Sequence, residues 1–399
     1  MPYVETMVGR TRIGAWLLAA PVVAVCQAAE PASESRIPAE VLDRAVALNL
    51  EFILNNQKEA GNFTYEYDFV AKVEGRGDSS VRQAGALWGL GVIHLRAPTE
   101  RAAAAIRKGV AFFERAGTVR DGRRFIRYPG EDEVKTGCVA LTALALIEFL
   151  RSGAAPEERW RMQLGQYLEY LVSLRRPDGL FHGAARPEDG VGDGGPSPYS
   201  DGEALLALIK AAKYLGMTQY RDMALASAEA MYAEHVVAAL KRHPDSDQTK
   251  GFYQWGSMAF YELAGSGWPE VGRYPRRVID LAYWMIDVHR TLERPRNTAY
   301  AYEGIAHAWE LARLEGDREA MAKLESVIQR GMARLLSLQV GGPLQNEYLR
   351  FHSTRDPRAI GGVMNGAADP VLRIDVTQHQ AHATLLVRDF LYGRPKGAM

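Results

Sequence analysis

Six stretches of the chain share one layout: a helix apolar almost all round, opening on a polar first turn. Tyr199-Ser200-Asp201-Gly202-Glu203 runs into Ala204-Leu205-Leu206-Ala207-Leu208, and Arg82-Gln83 into Ala84-Gly85-Ala86-Leu87-Trp88. The residues from Glu133 to Thr136 precede Gly137 and Cys138, Tyr253-Gln254-Trp255 precede Gly256, Tyr302-Glu303 precede Gly304, and the run from Asp375 to His379 precedes Ala381. A helix with no polar face is buried on all sides, so its polar head must face something other than core. Helices with Arg, Lys and Glu on one face lie between these stretches and suit an outer layer. A helical hairpin repeated about every fifty residues makes an array or a ring. An open array exposes its inner helices along their length, whereas a ring buries their bodies and opens only their ends. The sequence therefore predicts an all-α chain, a closed (α/α)6 toroid of six helical hairpins whose inner heads line one cavity.

Composition fits that reading and narrows the partners. Of 399 residues, 47% are hydrophobic, enough for a large core, and 48 acids balance 48 bases, which argues against a nucleic-acid binder. Arg10 and Arg12 flank a short apolar run over 13–25, and Ala28 offers a small-residue cleavage site with Cys26 at the −3 position. The expected organisation is a signal peptide over 1–28, a linker over 29–37 and one toroid domain over 38–399, in a periplasmic or secreted protein with no membrane span. Cleavage leaves Cys138, which sits among Val, Ala and Leu and reads as a buried structural thiol. The first helix is expected over 38–57 and the helix carrying Trp255 over 252–264. The segment 63–69 reads as a short strand or an aromatic loop. The long stretches 177–198 and 341–370 read as functional loops.

The junctions between outer and inner helices carry a motif. Gln57-Lys58-Glu59-Ala60-Gly61-Asn62-Phe63 spaces Gln, Gly and an aromatic residue, Arg175 to Phe181 repeats it with Arg for Gln, and Gln339 to Leu344 reads as a degenerate third copy. This resembles the repeat of the terpenoid cyclase and protein prenyltransferase toroids. The chain as a whole resembles the six-hairpin barrels of glycoside hydrolases, polysaccharide lyases and glucuronyl epimerases. The cyclase Asp-x-Asp-Asp motif is missing, and Cys138 has no Asp partner at the spacing of a prenyltransferase zinc site. The resemblance to glycan-acting toroids thus implies an oligo- or polysaccharide partner and no cofactor.

The heads supply the candidate chemistry. Asp68, Asp201, Glu203, Glu303 and Asp375 form the carboxylate pool, and Glu303, set between Tyr302 and Gly304 in an otherwise apolar helix, is expected to line the cavity, since a buried unpaired charge is costly. Tyr65, Tyr67, Tyr199, Tyr253, Trp255, Tyr300 and Tyr302 crowd the heads, where aromatic faces suit sugar rings. Arg82 and Gln83 open one inner helix, Arg82 as a clamp for a carboxylate, and Gln254 stands beside Trp255. Arg373, Asp375, Gln378 and His379 form the densest polar run; Asp375 stands four residues before His379, a spacing that lets a carboxylate orient an imidazole. His379 and His382 have no third ligand at a supporting spacing, so no metal is expected.

Two mechanisms fit these residues. A glycoside hydrolase needs an acid and a base or nucleophile roughly 5–10 Å apart, which Glu303 and Glu203 with Asp68 or Asp201 would supply. A uronate lyase or C5-epimerase needs a base such as His379 or a tyrosine and a cation such as Arg82 to steady an enolate. The carboxylate surplus at the heads favours hydrolysis. A ring that binds glycan or peptide without catalysis is the third alternative.

Overall fold

The computed structural model describes residues 36–154 and 157–393. The expected signal peptide, and the linker up to residue 35, lie outside them. The helices in chain order are α1 (Ala39–Asn55), α2 (Ser80–Arg96), α3 (Glu100–Arg115), α4 (Thr136–Arg151), α5 (Glu157–Ser173), α6 (Pro198–Leu215), α7 (Arg221–Tyr232), α8 (Ala239–Arg242), α9 (Asp247–Ala264), α10 (Tyr274–Tyr283), α11 (Ala299–Glu315), α12 (Arg318–Leu336), the short α13 (Glu347–Phe351) and α14 (Ile374–Tyr392). A π-helical turn, Ala233–Ala238, joins α7 to α8 as one outer rod, and another, Trp284–Val288, extends α10.

Among the described residues, α2, α4, α6, α9, α11 and α14 form the inner layer. Each packs on the next, and α14 packs back on α2, which closes the ring. In α4 every residue from Thr136 to Phe149 is buried, as an inner helix requires. The outer helices α3 and α12 start on side-chain caps: Thr99 accepts from the Ala102 N–H and Asp317 from the Ala320 N–H. Of the inner helices, only α9 has such a cap, from Ser246. The heads of α2, α4, α6, α11 and α14 have none.

Short strands stitch the loops at the heads. β1 (Glu66–Asp68) pairs antiparallel with β2 (Val73–Glu74) and with β8 (Val371–Arg373), Tyr67 lying opposite both Glu74 and Leu372. This ties the approach to α2 to the approach to α14, its neighbour in the ring. β3 (Gly117–Arg120) and β4 (Arg123–Ile126) form a hairpin, while β5 (Val134–Lys135), β6 (Ala184–Ala185) and β7 (Gly192–Asp193) tie the loops before α4 and α6.

The junction motif is a threefold device, and its third copy differs from the one expected. Gln57 bridges to Phe63, Arg175 to Phe181, and Gln339 to Val363 rather than to the segment ending at Leu344. An insertion carrying α13 separates the two halves of that copy, so the local sequence pattern failed there. In each copy the first side chain reaches the next outer helix: Gln57 donates to the Ala105 carbonyl at 2.8 Å, Arg175 to Ser227 at 2.9 Å, and Gln339 to the Ala45 carbonyl at 2.9 Å. The N–H at the far end is taken by an inner-helix head: Phe63 donates to Gln83 at 2.7 Å, Phe181 to Asp201 at 2.8 Å, and Val363 to Thr377 at 3.1 Å.

Gly61 and Gly361 hold the same place in this device, with φ of +108° and +86°. A Cβ would collide with the Lys108 carbonyl at Gly61 and with the Leu48 carbonyl at Gly361. Gly61→Ala combines that clash with a backbone conformation that L-residues avoid. It is expected to cost at least about 1 kcal/mol in denaturant unfolding, and an unchanged midpoint would count against this reading of the junction.

Candidate functional site

The uncapped heads open on a cavity of about 670 Å³, walled by Arg82, Tyr199, Glu203, Lys250, Gln254, Trp255, Tyr300, Arg373, Asp375, Gln378 and His379 among others. Past Tyr199 and Glu203 it continues into an outer cleft of about 750 Å³ between the loops before α4 and α6. Trp88 and Trp255, with ring centroids 5.2 Å apart, stand between this space and a smaller cavity of about 330 Å³ at the opposite mouth of the ring.

Glu203, on α6, is 3% exposed, and its Oε2 has no hydrogen-bond partner. It fits because residue 137 on the neighbouring helix is glycine, where a Cβ would strike the carboxylate. Burial pushes this carboxyl up to about 8, with only a small offset from His379. Glu203 is therefore protonated at neutral pH and able to donate.

His379, on α14, brings an imidazole to the same cavity. Its Nδ1 lies 3.0 Å from Gln254 Nε2 and 3.4 Å from Glu303 Oε1. Burial lowers its pKa, but the Glu303 and Asp375 carboxylates outweigh that and raise it above the ordinary value. Glu303 Oε1 also meets His382 Nδ1 at 3.0 Å. Burial would raise the Glu303 carboxyl; the His379 and His382 rings hold it below the ordinary range instead.

One turn before His379 on α14, Asp375 is gripped by Arg373 through Nε at 3.0 Å and Nη2 at 2.5 Å, while Arg82 Nε lies 3.3 Å from the same carboxylate and bonds to the Tyr65 hydroxyl. Burial raises the Asp375 pKa, but Arg373, His379 and Arg82 together hold it below the usual carboxylate range. Lys250 Nζ donates to the Tyr199 hydroxyl at 3.0 Å. Among the described residues no group of three or more His, Cys, Asp or Glu converges as a metal site.

The expected site residues divide. Glu203, Arg82, Tyr199, Gln254, Trp255, Arg373, Asp375, Gln378 and His379 line the cavity. Glu303 does not: it is fully buried one layer behind His379, because two imidazoles satisfy the charge that otherwise would have required solvent. Asp201 is buried between the Phe181 N–H and His235 Nε2, 2.6 Å away, as part of the junction device. Gln83 exchanges two hydrogen bonds with Phe63 for the same purpose. Asp68 caps the turn after β1 by accepting from the N–H groups of Val70 and Ala71. Tyr65 supports Arg82 from behind, Tyr67 donates to Asp356 at 2.5 Å, and Tyr253 donates to the Ala301 carbonyl at 3.0 Å. Tyr302 is buried, its hydroxyl lying where a Cβ on Gly331 of α12 would stand.

Lys250, Asn297 and Asn365 also line the cavity, and sequence reasoning missed them. The signal for Lys250 was its place one turn before Gln254. It was lost because the helix was started at residue 252, whereas the Ser246 cap starts α9 at Asp247.

No protein-family model and no curated protein matches the chain. Among solved structures, a D-mannose isomerase superposes with a TM-score of 0.65 at 12% identity, covering 90% of this chain and 99% of that one. The chain has the (α/α)6 toroid fold. A cellobiose 2-epimerase from Bacillus thermoamylovorans superposes on this toroid with a TM-score of 0.63 at 10% identity, over 88% and 99% of the two chains. An unsaturated glucuronyl hydrolase specific for heparin gives 0.58 at 9% identity, over 88% and 97%.

Proposed function

We propose that this toroid is a carbohydrate-active enzyme working by proton transfer between Glu203 and His379, in the manner of a sugar isomerase or epimerase. The observation that carries the reading is the meeting in one cavity of a carboxyl pushed up to about 8 and an imidazole backed by a buried carboxylate. Groups that exchange protons near the working pH are what acid–base catalysis needs. In an open-chain sugar, His379 would take the proton from the carbon beside the carbonyl while Glu203 donates to the carbonyl oxygen. Returning the proton to the former carbonyl carbon, while the Glu203 carboxylate takes the proton of the neighbouring hydroxyl, isomerises the sugar; returning it to the opposite face of the original carbon after the enediol turns over, with Glu203 retaking the proton it gave, epimerises it. The sugar-acting names of the superposing toroids support the substrate class.

Glycoside hydrolysis is the second reading, with Glu203 as acid and Asp375 as the ionised partner in the same cavity. Against it, both Asp375 oxygens are engaged by guanidinium groups, and Glu303, Asp201 and Asp68 stand off the cavity wall. A panel of aldoses, ketoses and disaccharides incubated in D2O separates the two. Isomerase or epimerase chemistry gives carbon-bound deuterium beside the carbonyl and an altered sugar. New reducing ends without carbon-bound deuterium would overturn the first reading in favour of the second.

A further inference from the structure

The proton-transfer reading leaves one group on the cavity wall without a task. Lys250 stands in the first turn of α9, where the helix dipole disfavours a cation. Its ammonium is held in place by the Tyr199 hydroxyl and lies 5.6 Å and 5.2 Å from the ring centroids of Tyr199 and Tyr300. Burial lowers its pKa, but Tyr199, Tyr300 and the through-space pull of Asp247 raise it above the ordinary value, so the group stays charged. No acid among the described residues is in ion-pair contact with it, whereas Arg82 and Arg373 share Asp375. The inner cavity therefore carries a cation surplus with one immobilised ammonium free. The outer cleft has the opposite sign: Asp132, Glu133, Glu188 and Asp193 line it against Lys135 and Arg186, and those two are already paired with Glu133 and Asp189.

We propose that Lys250 anchors an anionic group on the substrate, and that the substrate is a saccharide with a single anion, a carboxylate, sulfate or phosphate, on the unit that enters the inner cavity. The rest of the chain is uncharged, because a polyanion threading the outer cleft would meet its unpaired carboxylates. This inference rests on the reading of the cavity as a sugar site.

The test is calorimetric titration of the full chain with hexuronic acids, hexose 6-sulfates, hexose 6-phosphates and the parent hexoses, at low and high salt. At least one class of anionic sugar is expected to bind about tenfold or more tightly than its parent hexose, as a charge-assisted contact gives. The class that does so identifies the anion, and its advantage should shrink with salt. Lys250→Met should abolish the advantage, so that the anionic sugar and its parent hexose bind the variant alike, with Lys250→Gln as a second variant should melting show the first to be unfolded. Equal binding of every anionic sugar and its hexose, or an advantage that survives in both variants, overturns the anchor while leaving the sugar site standing. Tighter binding of a polyuronate than of its monomer overturns the single-anion assignment. No binding of any saccharide overturns both this inference and the reading it rests on.

Discussion

Glu203→Gln is expected to lower turnover by about 10²-fold or more and, in the same protein, to raise the melting temperature at pH 8. The two effects share one cause. The carboxyl is buried against Gly137 with an unpartnered oxygen, and its pKa rises from 4.5 to about 8. Between those values the folded chain keeps a proton that the unfolded chain releases. The stability associated with the neutral carboxyl is therefore fully present below pH 4.5 and is lost as the pH rises to about 8. At about 1.4 kcal/mol per pH unit, the accumulated cost is about 3 kcal/mol at pH 7. Glutamine fills the same space without that ionisation, so the two proteins should melt alike near pH 4.5 and diverge as the pH rises. In the wild type the rate should rise with pH through the raised pKa of His379 and fall again through that of Glu203 at about 8. The residual activity of Glu203→Gln should lack the alkaline fall. A variant with wild-type turnover, or one that melts like the wild type at pH 8, would sink the assignment.

Glu303→Gln is expected to act on the other member of the pair without touching the substrate. Removing the carboxylate takes from His379 and His382 the oxygen that both rings contact. His379 then loses the main influence that raises its pKa, so the acid limb of the rate profile should move to lower pH. Turnover should drop by about tenfold to a hundredfold with KM little changed, since Glu303 lies behind the wall. Breaking a buried charge pair on one side should also cost about 3 kcal/mol at neutral pH. The Glu303 carboxyl is depressed in the folded chain, so its contribution is present above the ordinary carboxylate pKa and lost as the pH falls through the folded value. The stability gap between wild type and variant should close on acidification. Kinetics that keep the wild-type acid limb would leave Glu303 with a packing role alone.

Much of the fold was legible in the chain because burial imposes a period. Inner helices that are apolar on every face, such as α4 and α6, have one place to go in a two-layer ring, and the junction glycines are spelled out at Gly61 and Gly179. The third junction was not legible, because its halves, Gln339 and Val363, are joined by a β-bridge across an insertion. Polar heads on apolar helices do reach the cavity at Glu203, Gln254 and His379. A head has two sides, however, and sequence spacing does not say which side faces the cavity. Asp201 and Glu203 are two residues apart in the same first turns, yet one is tied to His235 and the Phe181 N–H while the other reaches the cavity.

The sequence by itself determined the helical hairpins, their two layers and the polar chemistry gathered at one end of the inner helices, because hydrophobic periodicity and local backbone requirements act over neighbouring residues. Only the tertiary structure decided that α14 returns to α2, that Glu303 stands behind His379, and that Lys250 has no acid in ion-pair contact among the described residues. These facts depend on pairs such as Glu303 with His379, 76 residues apart in the chain, and on burial. Packing alone sets such distances, and through them which carboxylate is protonated and which cation is free.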